Sequence, residues 1–194
     1  MQYDVTQLTM DLIQEDALKG LLDSIPHRKL ADLVLILRIG WGNSPITYDM
    51  LASFGISEEE LFKDAFESVP VRCPAVFRPL KEVFSEMGMP VLEEEAEDSG
   101  LMVATTDSFV KGASVLMYPG FLDKVAEQMG GDYYVIPSSR HEVLILYDNG
   151  SYDPEELSRM VAEVNGHIVA KEDRLSDHAY HYRSAERTFR IGTD

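Results

Sequence analysis

The amino-acid sequence predicts an α+β fold, in which a helical N-terminal part precedes a mostly antiparallel sheet with two helices packed on one face. In the first half, apolar residues recur at helical spacing. In the second half, short apolar runs rich in β-branched and aromatic residues alternate with helical segments. A stretch of five acids in six residues separates the two halves. We therefore expect a helical part over residues 1–92, an acidic linker or loop over 93–100, and an α+β part over 101–194.

Two helices are expected before residue 40. The first follows from apolar residues at helical spacing, with acids and glutamine on the opposite face. These apolar residues are Val5, Leu8, Leu12, Ile13, Leu18, Leu21 and Leu22. Pro26 ends this segment. Residues 27–39 are apolar nearly all round, which predicts a buried central helix.

Local end signals define the next two helices. Residues 47–54 are expected to form a short helix that ends at Gly55. Ser57 and Glu60 have the spacing of a capping box, in which each side chain bonds the backbone of the other residue. The helix that this box begins is expected to end at Pro70.

The acidic stretch at 93–100 follows one further expected helix, over residues 79–87. Neighbouring carboxylates repel one another, and the serine and glycine at the end of the stretch add flexibility. Two interpretations fit equally well. The stretch either links a helical domain to an α+β domain or forms a solvated loop within one domain.

The second half is expected to follow the order β-β-α-β-β-α-β-β. Short connections between neighbouring strands favour antiparallel pairing. Asp153 followed by Pro154 is a typical helix start, and Asn165 with Gly166 is the expected helix end. The predicted elements are strands at 101–105 and 113–118, a helix at 121–129, strands at 133–136 and 143–147, a helix from 154, and a hairpin of 179–183 with 188–191.

Several local strings make the sequence similar to a known group of proteins. They are Ile25–Lys29 (IPHRK), Gly55–Leu61 (GISEEEL), Lys111–Gly120 (KGASVLMYPG), Ile136–Val143 (IPSSRHEV) and Leu175–His178 (LSDH). Together they resemble a family of uncharacterised proteins from clostridial and related gut bacteria, classed as a domain of unknown function. The likeness covers nearly the whole chain. It implies that this chain lacks an N-terminal region that other members carry, and it implies no activity.

Composition limits the partners and the compartment. The net charge of −17 makes direct nucleic-acid binding unfavourable, because phosphate backbones are bound mainly by lysine and arginine. The longest aliphatic run, Leu33–Leu37, is far shorter than the roughly 20 residues that span a bilayer. A single cysteine, Cys73, permits no internal disulfide, which favours a cytoplasmic protein. No glycine-rich phosphate-binding motif is present, so we predict no cofactor.

Six polar residues, 137–142, lie between the central strands predicted at 133–136 and 143–147. This polar hexamer is the best candidate for chemistry. Ser139, His141 and Glu142 bring a hydroxyl, an imidazole and a carboxylate together, and residues two apart on a strand share a face. Ser138 and Arg140 could bind an anionic ligand. No nucleophile-elbow pattern accompanies them. A simple polar turn, whose side chains satisfy backbone groups, is the alternative interpretation.

The histidines and carboxylates of the tail do not predict a metal site. Zinc requires three or four converging ligands. Asp177, His178 and His181 could join His141 and Glu142, but positions 178 and 181 point to opposite faces if they share a regular strand. We therefore predict no metal. Asp177 and His178 remain candidates for ligand binding if the tail meets the hexamer.

The leading functional hypothesis is a non-enzymatic cytoplasmic module that binds a protein or a small molecule. It follows from the strongly acidic surface and from the absence of an assembled catalytic motif. The alternative is a hydrolase-type enzyme that uses Ser139, His141 and Glu142. Convergence of these side chains in one pocket would favour the enzyme.

Overall fold

The N-terminal part of the chain forms a small antiparallel sheet. The computed structural model describes residues 3–40, 44–86 and 100–194. The strands of this first sheet are β1 (Leu8–Gln14), β2 (His27–Leu30), β3 (Leu33–Ile39) and β4 (Ser44–Pro45). Strand β3 lies between β1 and β2 and also pairs with β4.

A larger antiparallel sheet occupies the C-terminal part. Its strand order is β10-β9-β7-β8-β6-β5. The strands are β5 (Ala75–Pro79), β6 (Met102–Thr106), β7 (Tyr133–Ile136), β8 (Glu142–Tyr147), β9 (Tyr180–Arg183) and β10 (Thr188–Ile191). The two central strands and the hairpin that the sequence predicts are therefore confirmed.

Helices accompany both sheets, so the α+β class is confirmed. The α-helices of the described residues are α1 (Tyr48–Phe54), α2 (Glu58–Arg72), α3 (Leu80–Glu86), α4 (Phe121–Met129) and α5 (Pro154–His167). The left-handed Gly55 ends α1, and the capping box of Ser57 and Glu60 begins α2, as predicted. None of these helices is long and apolar enough to cross a bilayer.

The prediction of a helical N-terminus was wrong. The expected helices at 5–22 and 27–39 are replaced by β1, β2, β3 and short 3₁₀ turns. In β3, Leu33, Leu35 and Leu37 pack in the main core, whereas Val34 and Ile36 pack on the opposite face. A strand covered on both faces is apolar at every position, so its sequence has the same appearance as a buried helix.

The predicted strand at 113–118 was also wrong, because a 3₁₀ helix occupies Gly112–Met117. The position beside β6 is filled instead by β5, and β8 occupies the other side. Strand β5 comes from the part of the chain that was predicted to be helical. Its Pro79 is tolerated because β5 lies at the edge of the sheet, where a missing N–H breaks no inner ladder.

The two helices of the C-terminal part lie on opposite faces of the sheet, which corrects the prediction of one shared face. Val125 of α4 packs in the cluster that contains Tyr133 and Val135. Leu157 of α5 packs in the cluster that contains Tyr134. Because successive side chains of β7 point to opposite faces, both faces of the sheet are apolar and both must be covered.

Two predicted helix ends were placed too early. Helix α2 continues through Pro70 to Arg72, with the proline in its last turn. Helix α5 continues through Asn165 to His167. The side chain of Asn165 is buried and donates to the backbone oxygen of Ser176 at 2.7 Å, a tertiary partner that local sequence signals do not reveal.

One hydrophobic cluster contains residues of both sheets. It includes Leu12 and Leu35 of the small sheet together with Ala104 and Val135 of the large sheet. Strand β5, which precedes the acidic stretch in the sequence, also pairs with β6, which follows it. The proposed boundary at 93–99 lies outside the described residues, so the division at 1–92, 93–100 and 101–194 stays a prediction.

Gly112 lies where two segments of backbone meet, and a larger residue there is expected to destabilise the fold. A Cβ atom at this position would collide with the Thr105 side chain, the His141 carbonyl oxygen and the Thr106 nitrogen. We expect Gly112→Ala to lower the free energy of unfolding by about 2 kcal/mol, as overpacking of a rigid site does. Urea denaturation measures this change.

Gly166→Ala is the matched control. A Cβ atom at position 166, within α5, meets no atom within 4 Å. Alanine is the better helix former, so we expect a gain of about 0.5 kcal/mol. Equal effects of the two substitutions would contradict this account of Gly112.

Candidate functional site

The polar hexamer forms a tight turn between the buried strands β7 and β8. Ser139 is 8% exposed. The hydroxyl groups of Ser138 and Ser139 both donate to Glu142 Oε1, at 3.1 and 2.9 Å. Ser139 Oγ also accepts a hydrogen bond from the backbone nitrogen of His141 at 3.0 Å. These bonds join the side chains of Ser138, Ser139 and Glu142 within the turn.

The imidazole of His141 makes its hydrogen bonds away from Ser139. Its Nδ1 accepts from the backbone nitrogen of Lys111 at 3.2 Å, and its Nε2 lies 3.2 Å from Asp173 Oδ1. The network therefore assigns the proton of a neutral ring to Nε2. Nucleophilic catalysis by a serine requires a base bonded to its hydroxyl. In this arrangement the hydroxyl of Ser139 is bonded to Glu142 instead.

Arg140 joins the two sheets through a buried carboxylate. Its Nη2 donates to both oxygens of Asp11, at 2.8 and 2.6 Å. Arg38 Nε donates to Asp11 Oδ2 at 2.6 Å. The side chain of Asp11, on β1, has no exposed surface, and the two arginines are about one-fifth exposed. Two guanidinium groups thus neutralise one buried carboxylate. Without such partners, burial of this charge would strongly destabilise the fold.

Arg140 is also bonded to the segment at 171–174. Its Nη1 donates to the backbone oxygen of Glu172 at 3.0 Å, and its backbone nitrogen donates to the backbone oxygen of Asp173 at 2.8 Å. Arg140 therefore holds together β1, the turn before β8 and the loop after α5. Because its two terminal nitrogens are bonded to two different segments, β1 and the loop at 171–174, the orientation of its side chain is constrained.

A third cation lies near this group. Lys111 is half-buried, and burial lowers the pKa of its ammonium. The positive charges of Arg38 and Arg140 lower it further, whereas the negative charge of Asp11 acts in the opposite direction. Lys111 has a left-handed backbone, with φ of 54°, directly before the buried Gly112. Three cations thus lie near one buried carboxylate.

Asp177 and His178 point to different neighbours. Asp177 Oδ1 accepts from Asn165 Nδ2 at 2.8 Å. His178 Nε2 lies 3.2 Å from Asp32 Oδ2. The hydroxyl of Tyr180 donates to Asp32 Oδ1 at 2.8 Å. These contacts place His178 at the turn between β2 and β3, rather than at the polar hexamer.

His181 lies on the other face of the large sheet. Its Nε2 is 3.0 Å from Asp148 Oδ2, and its ring stacks on Tyr134 at a centroid distance of 4.6 Å. The ring of His178 instead meets the ring of Tyr180 in an edge contact, at a centroid distance of 5.0 Å. Across residues 3–40, 44–86 and 100–194, no group of three or more histidine, cysteine or acidic side chains is arranged to hold a metal ion.

A cleft of about 450 Å³ opens beside the buried ion pair. It combines charged side chains of both signs with a small apolar area. Two of the predicted site residues, Arg140 and Asp177, line it, whereas the three proposed catalytic residues do not. Its lining residues are Ile13, Gln14, Asp16, Ala17, Leu18, Arg38, Arg140, Lys171, Glu172, Arg174 and Asp177.

The residues that organise this cleft were not predicted from the sequence. Asp11 and Arg38 are charged residues inside apolar strands, between Met10 and Leu12 and between Leu37 and Ile39. A charge within a buried run must be paired, so this pattern was a usable signal. Lys171 and Arg174 belong to an ordinary polar loop, and no sequence signal identifies them.

The buried ion pair is expected to be essential for stability. Asp11→Asn leaves the two guanidinium groups near Asp11 without their counter-charge. We expect the free energy of unfolding to fall by about 3 kcal/mol, the range seen when one partner of a buried pair is removed. Chemical denaturation of both proteins measures the difference.

Glu186→Gln provides the control for Asp11→Asn. Glu186 pairs with Arg183 at 3.6 Å, and both side chains are about half exposed. Exposed pairs contribute little, so this change should cost under about 1 kcal/mol. A loss from Asp11→Asn that is no larger would contradict the role assigned to Asp11.

Asp32 is expected to make a pH-dependent contribution. Burial acts to raise the pKa of Asp32, but the nearby imidazole of His178 and the hydrogen bond from Tyr180 outweigh it, so the pKa lies below its ordinary value. A lowered folded-state pKa stabilises the fold above the unfolded pKa of about 3.9, and the stabilisation disappears as pH falls through the folded value. Asp32→Asn should therefore cost about 1 kcal/mol at pH 7, a small value because Asp32 is one-third exposed.

The difference between Asp32→Asn and the unchanged protein should shrink as the pH is lowered from about 5 to about 3. Urea denaturation across this range provides the measurement. Asp23→Asn is the control, because Asp23 is exposed and makes no ion pair or side-chain hydrogen bond within the described residues. A difference that grows toward low pH would have the wrong sign for this explanation.

Comparison with known proteins places the chain in a family. No curated protein and no solved structure matches it. A family model described as "Family of unknown function (DUF5688)" matches residues 2–184. The expected membership of a family whose function is unknown is thereby confirmed. The chain belongs to this family, whose match includes the small sheet, every strand of the large sheet except β10, the buried ion pair and the cleft.

Proposed function

We propose that this protein is a non-enzymatic, cytoplasmic ligand-binding module and that its ligand is a small molecule held in the cleft beside Arg140. The observation that carries the proposal is the cleft itself. Its volume of about 450 Å³ lies within the usual range of small-molecule sites, about 300–1,000 Å³. Its walls come from the turn after β1 and from the loop after α5, so a ligand would contact both halves of the chain.

The rigidity of the walls supports a binding role. Arg38 and Arg140 reach the cleft from elements that Asp11 joins. Arg140 is additionally bonded to the backbone of the loop that supplies Lys171 and Arg174. A preformed site binds with a smaller loss of conformational freedom than a site that must be ordered. The concave shape also favours a small molecule over a protein as the partner.

The assignment as a non-enzyme rests on the hydrogen bonds of the polar hexamer. Ser139 is bonded to Glu142, and His141 is bonded to Lys111 and Asp173. None of these residues lines the cleft, although the neighbouring Arg140 does. The free thiol of Cys73 is consistent with a reducing compartment, which supports the cytoplasmic assignment.

The hydrolase is the competing hypothesis, and one contact favours it. The hydroxyl of Ser139 donates to a carboxylate at 2.9 Å, and a carboxylate in that position can act as a base. Ser139→Ala distinguishes the two functions. Hydrolysis of an ester or amide that this substitution abolishes would establish the enzyme and contradict the binding module.

Obstruction of the cleft tests the proposal. We expect one or more members of a chemically broad set of small metabolites to raise the melting temperature of the protein. Ala17 is exposed and lines the cleft, so Ala17→Trp should fill it and abolish that shift. Ala52→Trp is the matched control, because Ala52 is exposed on α1 and does not line the cleft. Both proteins would be compared by thermal unfolding with and without each compound.

Each outcome of the thermal unfolding experiment either supports or contradicts binding in the cleft. A shift that persists in Ala52→Trp and disappears in Ala17→Trp supports binding in the cleft. Failure of every anionic, neutral and cationic compound to shift the melting temperature would contradict the proposal. A shift that Ala17→Trp leaves unchanged would place binding elsewhere and would also contradict it.

A further inference from the structure

We infer that the ligand of the cleft is a small organic anion, whose carboxylate or phosphate group is bound by Arg174 and Lys171 while its hydrocarbon part packs beside Leu18. This inference rests on the proposed function and adds the chemical class of the ligand. Four of the lining side chains are cationic: Arg38, Arg140, Lys171 and Arg174. Three are acidic, whereas the whole chain has twice as many acids as bases. The cleft therefore reverses the charge balance of the rest of the molecule.

Two of the three acids in the cleft already have partners. Asp16 pairs with Lys19 at 2.9 Å. Asp177 accepts a hydrogen bond from Asn165 at 2.8 Å. A cationic ligand would have to compete with these contacts. The acids therefore offer a cation less than their number suggests.

Two of the cations have no ion-pair partner among the described residues. Within the described part of the chain, neither Lys171 nor Arg174 forms an ion pair. Arg174 uses its Nε to donate to the backbone oxygen of Val169 at 3.2 Å, which orients its guanidinium group. Guanidinium groups match carboxylate and phosphate oxygens with paired hydrogen bonds. Lys171 is exposed and adds a mobile positive charge.

The ion pair behind the cleft already engages two of the four lining cations. The carboxylate of Asp11 faces Arg38 and Arg140, so the cations left for a ligand are Lys171 and Arg174. Lys111 lies within electrostatic range of the same three residues. An anion in the cleft would face Lys171 and Arg174 at close range, in a partly buried setting where charges are screened less than in open solvent.

The size of the cleft and the net charge restrict the anion to a small molecule. A charge of −17 repels polyanions, and about 450 Å³ cannot hold a segment of nucleic acid. The attraction must therefore arise from direct contacts within the cleft. Ile13, Ala17 and Leu18 provide the apolar part of the lining. A hydrocarbon body that carries one or two acidic groups matches this combination.

A matched series of probes tests the charge of the ligand. Glutarate, glutaramide and cadaverine have chains of five carbons and are anionic, neutral and cationic, respectively. Phenyl phosphate and inorganic phosphate distinguish a phosphate group from a carboxylate. Isothermal titration at about 0.15 M salt, where the Debye length is about 8 Å, limits effects of distant surface charge. We expect glutarate or phenyl phosphate to bind and glutaramide and cadaverine not to bind.

Removal of single charges locates the contact. Arg174→Gln and Lys171→Gln should each weaken binding of the anion about tenfold, the effect of losing one charge-assisted hydrogen bond. Arg159→Gln is the control, because Arg159 is exposed on α5 and does not line the cleft. Lys171 makes no hydrogen bond to other described residues, so its substitution tests the inference even if loss of Arg174 perturbs the loop.

The failures of this inference and of the proposed function are distinguishable. If glutaramide or cadaverine binds, Ala17→Trp abolishes that binding, and no anion binds, the cleft is a ligand site but the inference is overturned. Equal weakening by Arg159→Gln would also overturn it. If no probe of any charge binds and the broad metabolite set causes no thermal shift, the proposed function itself is contradicted.

Discussion

The carboxylate of Asp11 lies fully buried between two guanidinium groups, and the relation of the two sheets depends on this contact. Asp11 belongs to β1, Arg38 to β3, and Arg140 to the turn that enters β8. A buried charge is tolerated only when partners replace its lost hydration. The small sheet and the large sheet must therefore adopt one relative position for the carboxylate to be bonded by both arginines. Apolar packing supplies most of the attraction, and this ion pair supplies directional restraint.

The same contact prepares the cleft. The two arginines that bond this carboxylate also line the cleft, where four cations face three acids although the chain is strongly acidic. The bonds from Arg140 to Glu172 and Asp173 hold the loop that carries Lys171 and Arg174 against this region. Structural restraint and ligand recognition thus use the same residues. The two hydroxyl groups of the polar hexamer, in contrast, bond within the hexamer, which lines the cleft only through Arg140.

Predictions from the sequence were reliable where the signal was local. The capping box at Ser57, the left-handed Gly55 and the start of α5 at Asp153 each depend on a few adjacent residues. They failed where the outcome depended on distant partners. Leu33–Ile39 is a strand because β1 and β2 pair along its two edges and apolar residues cover both of its faces. Arg140 was named as a ligand-binding candidate, but its partner Asp11, 129 residues away, was not.

The sequence by itself determined the α+β class, the central pair β7 and β8, the ends of several helices and the acidic character of the surface. Those properties follow from local propensity, period and composition. Tertiary structure alone decided that the N-terminus is a sheet, that α4 and α5 lie on opposite faces, and that four cations line one cleft. The physical reason is that pairing of strands and neutralisation of buried charge join residues far apart in the chain, where no local pattern records the partner.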